Sequence, residues 1–174
     1  LVGMATIVAF HAHPDDEVFG TGGVYAKYSD QGIHTVLVTC TGGEEGEIVD
    51  PTMVIEEVKP RLAEVRLQEL QCAAEKLGIE HLEMLGYRDS GMAGTAENRD
   101  PRAFINAADD EVVAKIDAVL RAVHPEIVIT FGPDGVYGHP DHLKIHRDAT
   151  AAVRRCGEAT GSRPALYYQA APRE

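Results

Sequence analysis

The chain alternates short, nearly continuous apolar runs with longer segments in which apolar residues recur every three or four positions. The short runs that predict buried strands are 5–11, 35–39, 81–85, 126–131 and 165–169. The longer segments that predict helices are 18–30, 61–76, 110–123 and 141–155. The stretches without either period, which are expected to be irregular, are 44–57, 86–109 and a Gly-rich turn at 132–138.

Strands and helices that alternate along a chain favour an α/β fold. The near-continuous apolar character of the strands predicts a Rossmann-like, mostly parallel sheet with helices on both faces. In such a sheet, ligands bind outside the carboxyl ends of the strands, near the point where the strand order reverses. We expect a single domain over residues 1–174, since this length suits one core.

Charge and cysteine content narrow the classes of function. The net charge of −12, without clustered Lys or Arg, argues against a nucleic-acid partner. The apolar runs are too short to span a bilayer and nothing resembles a secretory signal, so neither a membrane nor secretion is expected. An odd number of separated cysteines, Cys40, Cys72 and Cys156, fits a reducing cytoplasm. A homo-oligomer is compatible with the sequence.

Two short motifs carry the chemistry. His13–Glu17 reads His-Pro-Asp-Asp-Glu and follows the first strand, whereas Gly138–His142 reads Gly-His-Pro-Asp-His and follows the strand at 126–131. Parallel strands end at the same sheet edge, so the two motifs are expected to share one pocket. A single His-Pro-Asp is usually a turn, and acids there also suit a helix N-terminus. The pairing of two motifs favours a functional site.

The motifs predict one divalent metal ion held by His13, Asp16 and His142. Three protein ligands with a fourth position left for water are typical of catalytic zinc. A metal-bound water has a pKa near 7, and Asp15 is placed to act as its general base. His139 is predicted to donate to an oxyanion or to protonate the leaving group, with the Asp141 carboxylate accepting from its other nitrogen.

Other histidines and a glycine run were considered as alternatives. His146 lies four residues after His142, but Leu143 stands where a zincin motif needs Glu, so a ligand role is the weaker reading. His11 is expected to be a hydrogen-bonded core residue. Gly20–Gly23 does not have the Gly-x-Gly-x-x-Gly spacing of a nucleotide-binding loop.

Four segments together resemble the PIG-L/LmbE-like superfamily of zinc-dependent N-deacetylases, and in particular its mycothiol branch. They are Ala12–Glu17, Val38–Glu47, Arg88–Thr95 and Tyr137–His142. The resemblance implies a zinc-dependent amide hydrolase that removes an N-acetyl group from a glucosamine-type sugar conjugate. It also implies zinc on His13, Asp16 and His142.

By position, the resemblance further implies that Tyr137 assists at the oxyanion. Glu47, Arg66 and Asp89 would contact the sugar and its aglycone, with Arg66 holding a hydroxyl pair or a phosphate. The small-molecule partner would therefore be an amino sugar.

Two departures from the superfamily pattern leave the substrate open. Members usually continue past the equivalent of residue 174, so the chain is expected to be a short variant or to lack the C-terminal portion. Residues 48–60 follow the amidase that acts on mycothiol S-conjugates, whereas residues 88–95 follow the deacetylase. A non-haem iron enzyme is the remote alternative, because two His and one carboxylate can also hold iron.

Overall fold

The strands form one parallel five-stranded sheet in the spatial order β3-β2-β1-β4-β5. The computed structural model describes residues 5–170. The strands are β1 Thr6–His11, β2 His34–Thr41, β3 His81–Tyr87, β4 Ile127–Phe131 and β5 Ala165–Gln169.

Six α-helices connect the strands within the described residues. A π-helical turn, Glu17–Thr21, leads into the first of them, and short 3₁₀ turns occupy Lys59–Arg61, Ala96–Arg99 and Phe104–Asn106. The helices are α1 Gly22–Ser29, α2 Ile55–Val58, α3 Leu62–Leu77, α4 Asp109–Val123, α5 Gly135–Gly138 and α6 Pro140–Thr160.

Strand β1 is buried along its whole length because the sheet is covered on both faces. On one face Val8 and Phe10 belong to the larger apolar core, which α4 and α6 complete. On the other face Ala9 packs with Tyr25 of α1 and Leu70 of α3. Alternate residues of a strand point to opposite faces, so a continuous apolar run is what this central position requires. The predicted α/β class with helices on both faces is confirmed.

The main differences from the predicted elements lie at their ends. Residues 55–58 form α2 although 44–57 was expected to be irregular, and the acids Glu56 and Glu57 in its first turn suit a helix N-terminus. The expected loop 86–109 is shortened by β3 and α4 and contains the two later 3₁₀ turns. The expected turn at 132–138 contains α5.

The strand order reverses between β1 and β4, which fixes where a site can form. From β1 the chain steps outward to β2 and β3, then returns to pair β4 with the other side of β1. The loops that follow β1 and β4 therefore emerge side by side at the carboxyl edge of the sheet. Among residues 5–170, no helix has both the length and the apolar character that a bilayer crossing requires.

Candidate metal centre and active site

The loops after β1 and β4 bring the two motifs into direct contact. His13 Nδ1 lies 3.2 Å from His142 Nε2, although 129 positions separate the residues. Both side chains are buried. The prediction that the two motifs meet at one point is therefore confirmed by the geometry.

The hydrogen bonds around His13 determine which of its ring nitrogens carries the hydrogen and which has the lone pair that faces His142. Nε2 lies 3.0 Å from Oδ2 of Asp141, a carboxylate that can only accept, so the ring hydrogen belongs on Nε2. Asp89 Oδ1 is 3.5 Å from the same nitrogen. The lone pair of neutral His13 is therefore on Nδ1 and points toward His142.

His142 is oriented in the same way by a backbone carbonyl. Its Nδ1 lies 3.1 Å from the Gly135 oxygen, which places the ring hydrogen on Nδ1 and the lone pair on Nε2. The Phe131 ring stacks on the imidazole at 3.9 Å with an interplanar angle of 7°. Burial and the neighbouring imidazoles of His13 and His139 lower the pKa of His142 to about 3.

Asp16 adds the third donor. Its Oδ1 lies 3.5 Å from His142 Nε2 and its Oδ2 lies 3.8 Å from His13 Nδ1. The Asp16 Oδ2 atom also accepts the backbone N–H groups of Ala12 and His13, at 3.1 and 2.8 Å, which fixes the carboxylate. Burial raises the pKa of Asp16 to about 6, against the opposing effect of His13.

Two lone pairs thus face each other at one point, and the Asp16 carboxylate borders that point with a different oxygen toward each ring. A shared proton or a metal ion can occupy it. Donors about 2.0–2.2 Å from a tetrahedral ion lie about 3.3–3.6 Å apart, close to the separations seen here. Burial opposes charge on His13, but hydrogen bonds to Asp141 and Asp89 outweigh it and raise its pKa to about 10. The surroundings favour positive charge at this point, so the residues fit a divalent metal.

The structure corrects the predicted role of the Asp141 carboxylate. It contacts His13 and accepts the Ser90 N–H at 3.0 Å, and it does not bond to His139. The Asp141 backbone N–H instead donates to His139 Nδ1 at 3.2 Å, so His139 is the N-cap of α6. This bond leaves the hydrogen of neutral His139 on Nε2. Burial and then His13 lower the pKa of His139, which favours that neutral form.

His139 is also a possible further ligand. Nitrogens of His13, His139 and His142 lie within 4.8 Å of one another, as do donor atoms of His13, Asp89, His139 and Asp141. His146 belongs to neither group, and its Nδ1 lies 2.9 Å from the Phe131 carbonyl oxygen.

Asp15 follows the metal motif with an unusual backbone. Its φ is 104°, a region that L-residues rarely adopt. Its Oδ2 accepts from Arg66 Nη2 at 2.8 Å. Burial raises the pKa of Asp15, and Arg66 opposes that shift. The half-exposed carboxylate lines a cavity of about 650 Å³.

Arg66 is engaged by the protein rather than free for a ligand. Its Nη1 donates to the Gly43 carbonyl at 2.8 Å, and its Nη2 donates to the Pro14 carbonyl as well as to Asp15. Gly43 has φ +67°, and a Cβ there would overlap the guanidinium. The expectation that Arg66 holds a hydroxyl pair or phosphate is not what these contacts show, and its substrate role stays a prediction.

The remaining predicted residues line the same cavity. Tyr137 is 63% exposed, with its ring centroid 5.1 Å from that of His142, and burial followed by the Asp16 charge raises its pKa to about 12. Glu47 is exposed and lines the cavity. Asp89 is buried and accepts the N–H groups of Glu45 and Gly91. The cavity therefore gathers both motifs and the acidic loop after β2.

Sequence reasoning missed three residues that shape the site. Phe131 stacks on His142, Ser90 anchors Asp141, and the buried Glu17 accepts the Asp15 N–H at 3.0 Å. Glu17 lies within the first motif, where the sequence indicates only a charge at a helix N-terminus.

A parallel α/β fold with a His–Asp–His group at its switch point, beside the Asp15 carboxylate and a cavity, defines an α/β protein with a candidate metal-binding site. The family model described as "PIG-L: GlcNAc-PI de-N-acetylase" matches residues 8–153. The chain belongs to this family.

Similar proteins include deacetylases that act on an acetamido sugar joined to inositol. The chain is 44% identical over 159 residues to a 1D-myo-inositol 2-acetamido-2-deoxy-alpha-D-glucopyranoside deacetylase of Rhodococcus jostii, covering 88% of the chain and 54% of that protein. It is 46% identical over 172 residues to the protein of the same name from Saccharomonospora viridis, covering 94% and 62%. The chain thus spans about half to three-fifths of these relatives.

Solved structures share the fold. N,N'-diacetylchitobiose deacetylase from Pyrococcus horikoshii superposes with a TM-score of 0.67 at 27% identity, covering 87% of this chain and 50% of that one. The 4-carboxy-2-hydroxymuconate hydratase GalB from Pseudomonas putida gives 0.69 at 25% identity, covering 97% and 63%. Because one fold serves both a deacetylase and a hydratase, the site must decide the reaction.

Proposed function

We propose that the chain carries the catalytic centre of a metal-dependent N-deacetylase acting on a glucosamine-type sugar conjugate. The observation that carries the proposal is the convergence of His13 Nδ1, His142 Nε2 and the Asp16 carboxylate beside Asp15. The family and the relatives' names support this reaction.

His13, Asp16 and His142 would hold the metal. When bound, zinc would polarise the amide carbonyl and lower the pKa of a coordinated water to about 7. Zinc is proposed because imidazole and carboxylate ligands suit it, and iron is the alternative in the same site.

The other residues would move protons and stabilise charge. Asp15 would take a proton from the attacking water, and His139 Nε2–H would donate to the oxygen that gains negative charge. As the C–N bond breaks, the leaving amine needs a proton, which Asp15 would pass on from the attacking water. Tyr137 would assist at the oxyanion from the rim. The positions of Asp15, His139 and Tyr137 in the cavity lining support these roles.

The charges of the cavity support a neutral amino sugar as substrate. Among residues 5–170, its lining contains several carboxylates and a single Lys or Arg side chain, Arg66, which is already bonded to protein groups. Hydroxyl groups can donate to such carboxylates. Glu47 and Asp89 are the proposed substrate contacts. The carboxylates at the cavity are Asp15, Glu17, Glu45, Glu47, Asp50, Glu69 and Asp89.

A second candidate is an amidase that acts on S-conjugates of the same type of sugar. One wall of the cavity is apolar, formed by Leu62 and Val65 of α3 and by Met53. Such a wall could accept a hydrophobic substituent.

Cytoplasmic location is part of the proposal and rests on the three unpaired cysteines.

A substrate panel with metal analysis tests the proposal. Zinc-loaded protein is offered N-acetylglucosaminyl-inositol, its phosphorylated form, N-acetylglucosamine and an S-conjugate amide, and the released amine is measured. We expect zinc near one equivalent and preferred turnover of the neutral acetamide. Preference for the S-conjugate would favour the second candidate. Metal-loaded protein that hydrolyses none of these amides would refute both.

A further inference from the structure

Glu17 is a buried acid whose position the proposed reaction does not yet explain. The residue is 1% exposed and lies at the wall of the cavity. Among residues 5–170, no Lys, Arg or His forms an ion pair with its carboxylate, and burial together with the charges of Asp15 and Asp16 raises its pKa. A buried carboxylate without a counter-ion opposes folding, so stability does not account for it.

The Glu17 carboxylate has a specific contact. Its Oε2 accepts the backbone N–H of Asp15 at 3.0 Å, and Asp15 is the residue with φ of 104°. On the other side, the Asp15 carbonyl accepts the N–H groups of Val18 and Phe19 at 2.9 and 3.2 Å. The strained backbone of Asp15 is therefore held at both its N–H and its carbonyl oxygen.

Backbone strain of this kind persists only where the surroundings enforce it. The direction in which a side chain leaves the backbone depends on φ, so a relaxed Asp15 would carry its carboxylate to a different place. Arg66 contacts the tip of the carboxylate and the Pro14 carbonyl, so it binds the oxygen of the peptide unit whose N–H Glu17 accepts. Glu17 acts on the backbone itself and fixes where the carboxylate starts.

We propose that Glu17 is a positioning residue for the general base: it holds Asp15 in its strained conformation and thereby aims the Asp15 carboxylate at the reacting water. This inference rests on the proposed function, in which Asp15 is the base. Glu17 is not one of the proposed metal ligands or substrate contacts.

The test compares Glu17→Ala and Glu17→Gln in the zinc-loaded protein, with Glu64→Ala, an exposed acid of α3, as the matched control. Glu17→Ala should lower kcat about 10²-fold, since misplacing a catalytic group by about 1 Å has that effect. KM and zinc content should stay near the unmodified values, and Tm should be unchanged or higher. Glu17→Gln keeps a carbonyl acceptor and should recover most of the lost kcat.

A double variant separates positioning from general damage. If Glu17 acts through Asp15, adding Glu17→Ala to Asp15→Asn should lower the residual rate no further. Additive losses, a kcat for Glu17→Ala equal to that of Glu64→Ala, or a loss that follows zinc content would overturn the proposal.

Amide hydrogen exchange tests the contact without relying on activity. The Asp15 amide should exchange at least 10-fold faster in Glu17→Ala than in the unmodified protein, and Glu17→Gln should restore protection. Equal exchange in all three proteins would overturn the inference. If the unmodified protein hydrolyses no amide, the proposed function fails, while the exchange data still decide whether Glu17 holds Asp15.

Discussion

His13 Nδ1 and His142 Nε2 lie 3.2 Å apart, each with its other ring nitrogen bonded to an acceptor. The first ring is fixed by the Asp141 carboxylate and the second by the Gly135 carbonyl. These outer bonds leave two lone pairs facing each other next to Asp16. Two neutral imidazoles gain nothing from pointing their lone pairs at each other, so the arrangement suits a cation between them.

Replacing the base should separate metal binding from turnover. Asp15→Asn removes the proton acceptor but leaves His13, Asp16 and His142 in place. We expect zinc content to be retained and kcat to fall about 10²–10⁴-fold. His142→Ala should lose both zinc and turnover. Zinc analysis and amine release on the same samples provide the measurement, and full turnover by metal-loaded Asp15→Asn would exclude this base.

Removing the carboxylate behind His13 should weaken the metal site. Asp141→Ala deletes the acceptor of the His13 Nε2–H and leaves the Ser90 N–H unpaired. We expect zinc affinity to fall about 10–100-fold, the usual effect of losing such a partner. Competition with a chromogenic chelator measures it. Asp117→Ala, a buried acid of α4 paired with Arg121, is the control and should bind zinc normally.

His139 should have separable structural and catalytic roles. His139→Ala removes both the N-cap of α6 and the Nε2–H donor, and should destabilise the protein by about 1 kcal/mol while lowering kcat. His139→Asn restores a good N-cap and should recover stability but not turnover. Urea unfolding and kcat are the two readouts. Recovery of kcat by Asn would show that His139 acts only as a cap.

A buried ion pair on α6 should make stability depend on pH in a defined direction. Lys144 is 1% exposed and contacts Asp148 at 3.0 Å, and also contacts Asp109. Burial raises the pKa of Asp148, and Lys144 opposes the shift. In Lys144→Met that opposition is gone, so the pKa of Asp148 should rise further.

The direction of this pH dependence follows from the number of protons that the native and unfolded states bind. A raised native pKa means that stability falls as pH rises through the window above the unfolded value of 3.8. Lys144 also lowers the pKa of Asp109, so its loss removes stability that Asp109 contributes at neutral pH but not at low pH. Lys144→Met should therefore cost about 3–5 kcal/mol at neutral pH and less near pH 4. Urea unfolding at both pH values checks this, and Lys144→Met with Asp148→Leu should recover most of the loss.

Much of the fold could be predicted because its signals are local. The run at Thr6–His11 has four consecutive apolar residues at its centre, which a central strand covered on both faces needs. The helix at Asp109–Val123 has a clear apolar stripe and three acids in its first turn. The 3₁₀ turns and α5 were missed because such short elements depend on contacts with other segments rather than on a repeating pattern.

The sequence by itself determined the strand–helix alternation and the placement of a His–Asp motif after each of two strands, because periodicity and motif position are properties of neighbouring residues. Only the tertiary structure decided which nitrogen of His13 faces His142, that the Asp141 carboxylate serves His13 rather than His139, and that Arg66 bonds to Asp15. Those choices depend on partners brought together from up to 129 positions away. Hydrogen-bond geometry in three dimensions fixes them.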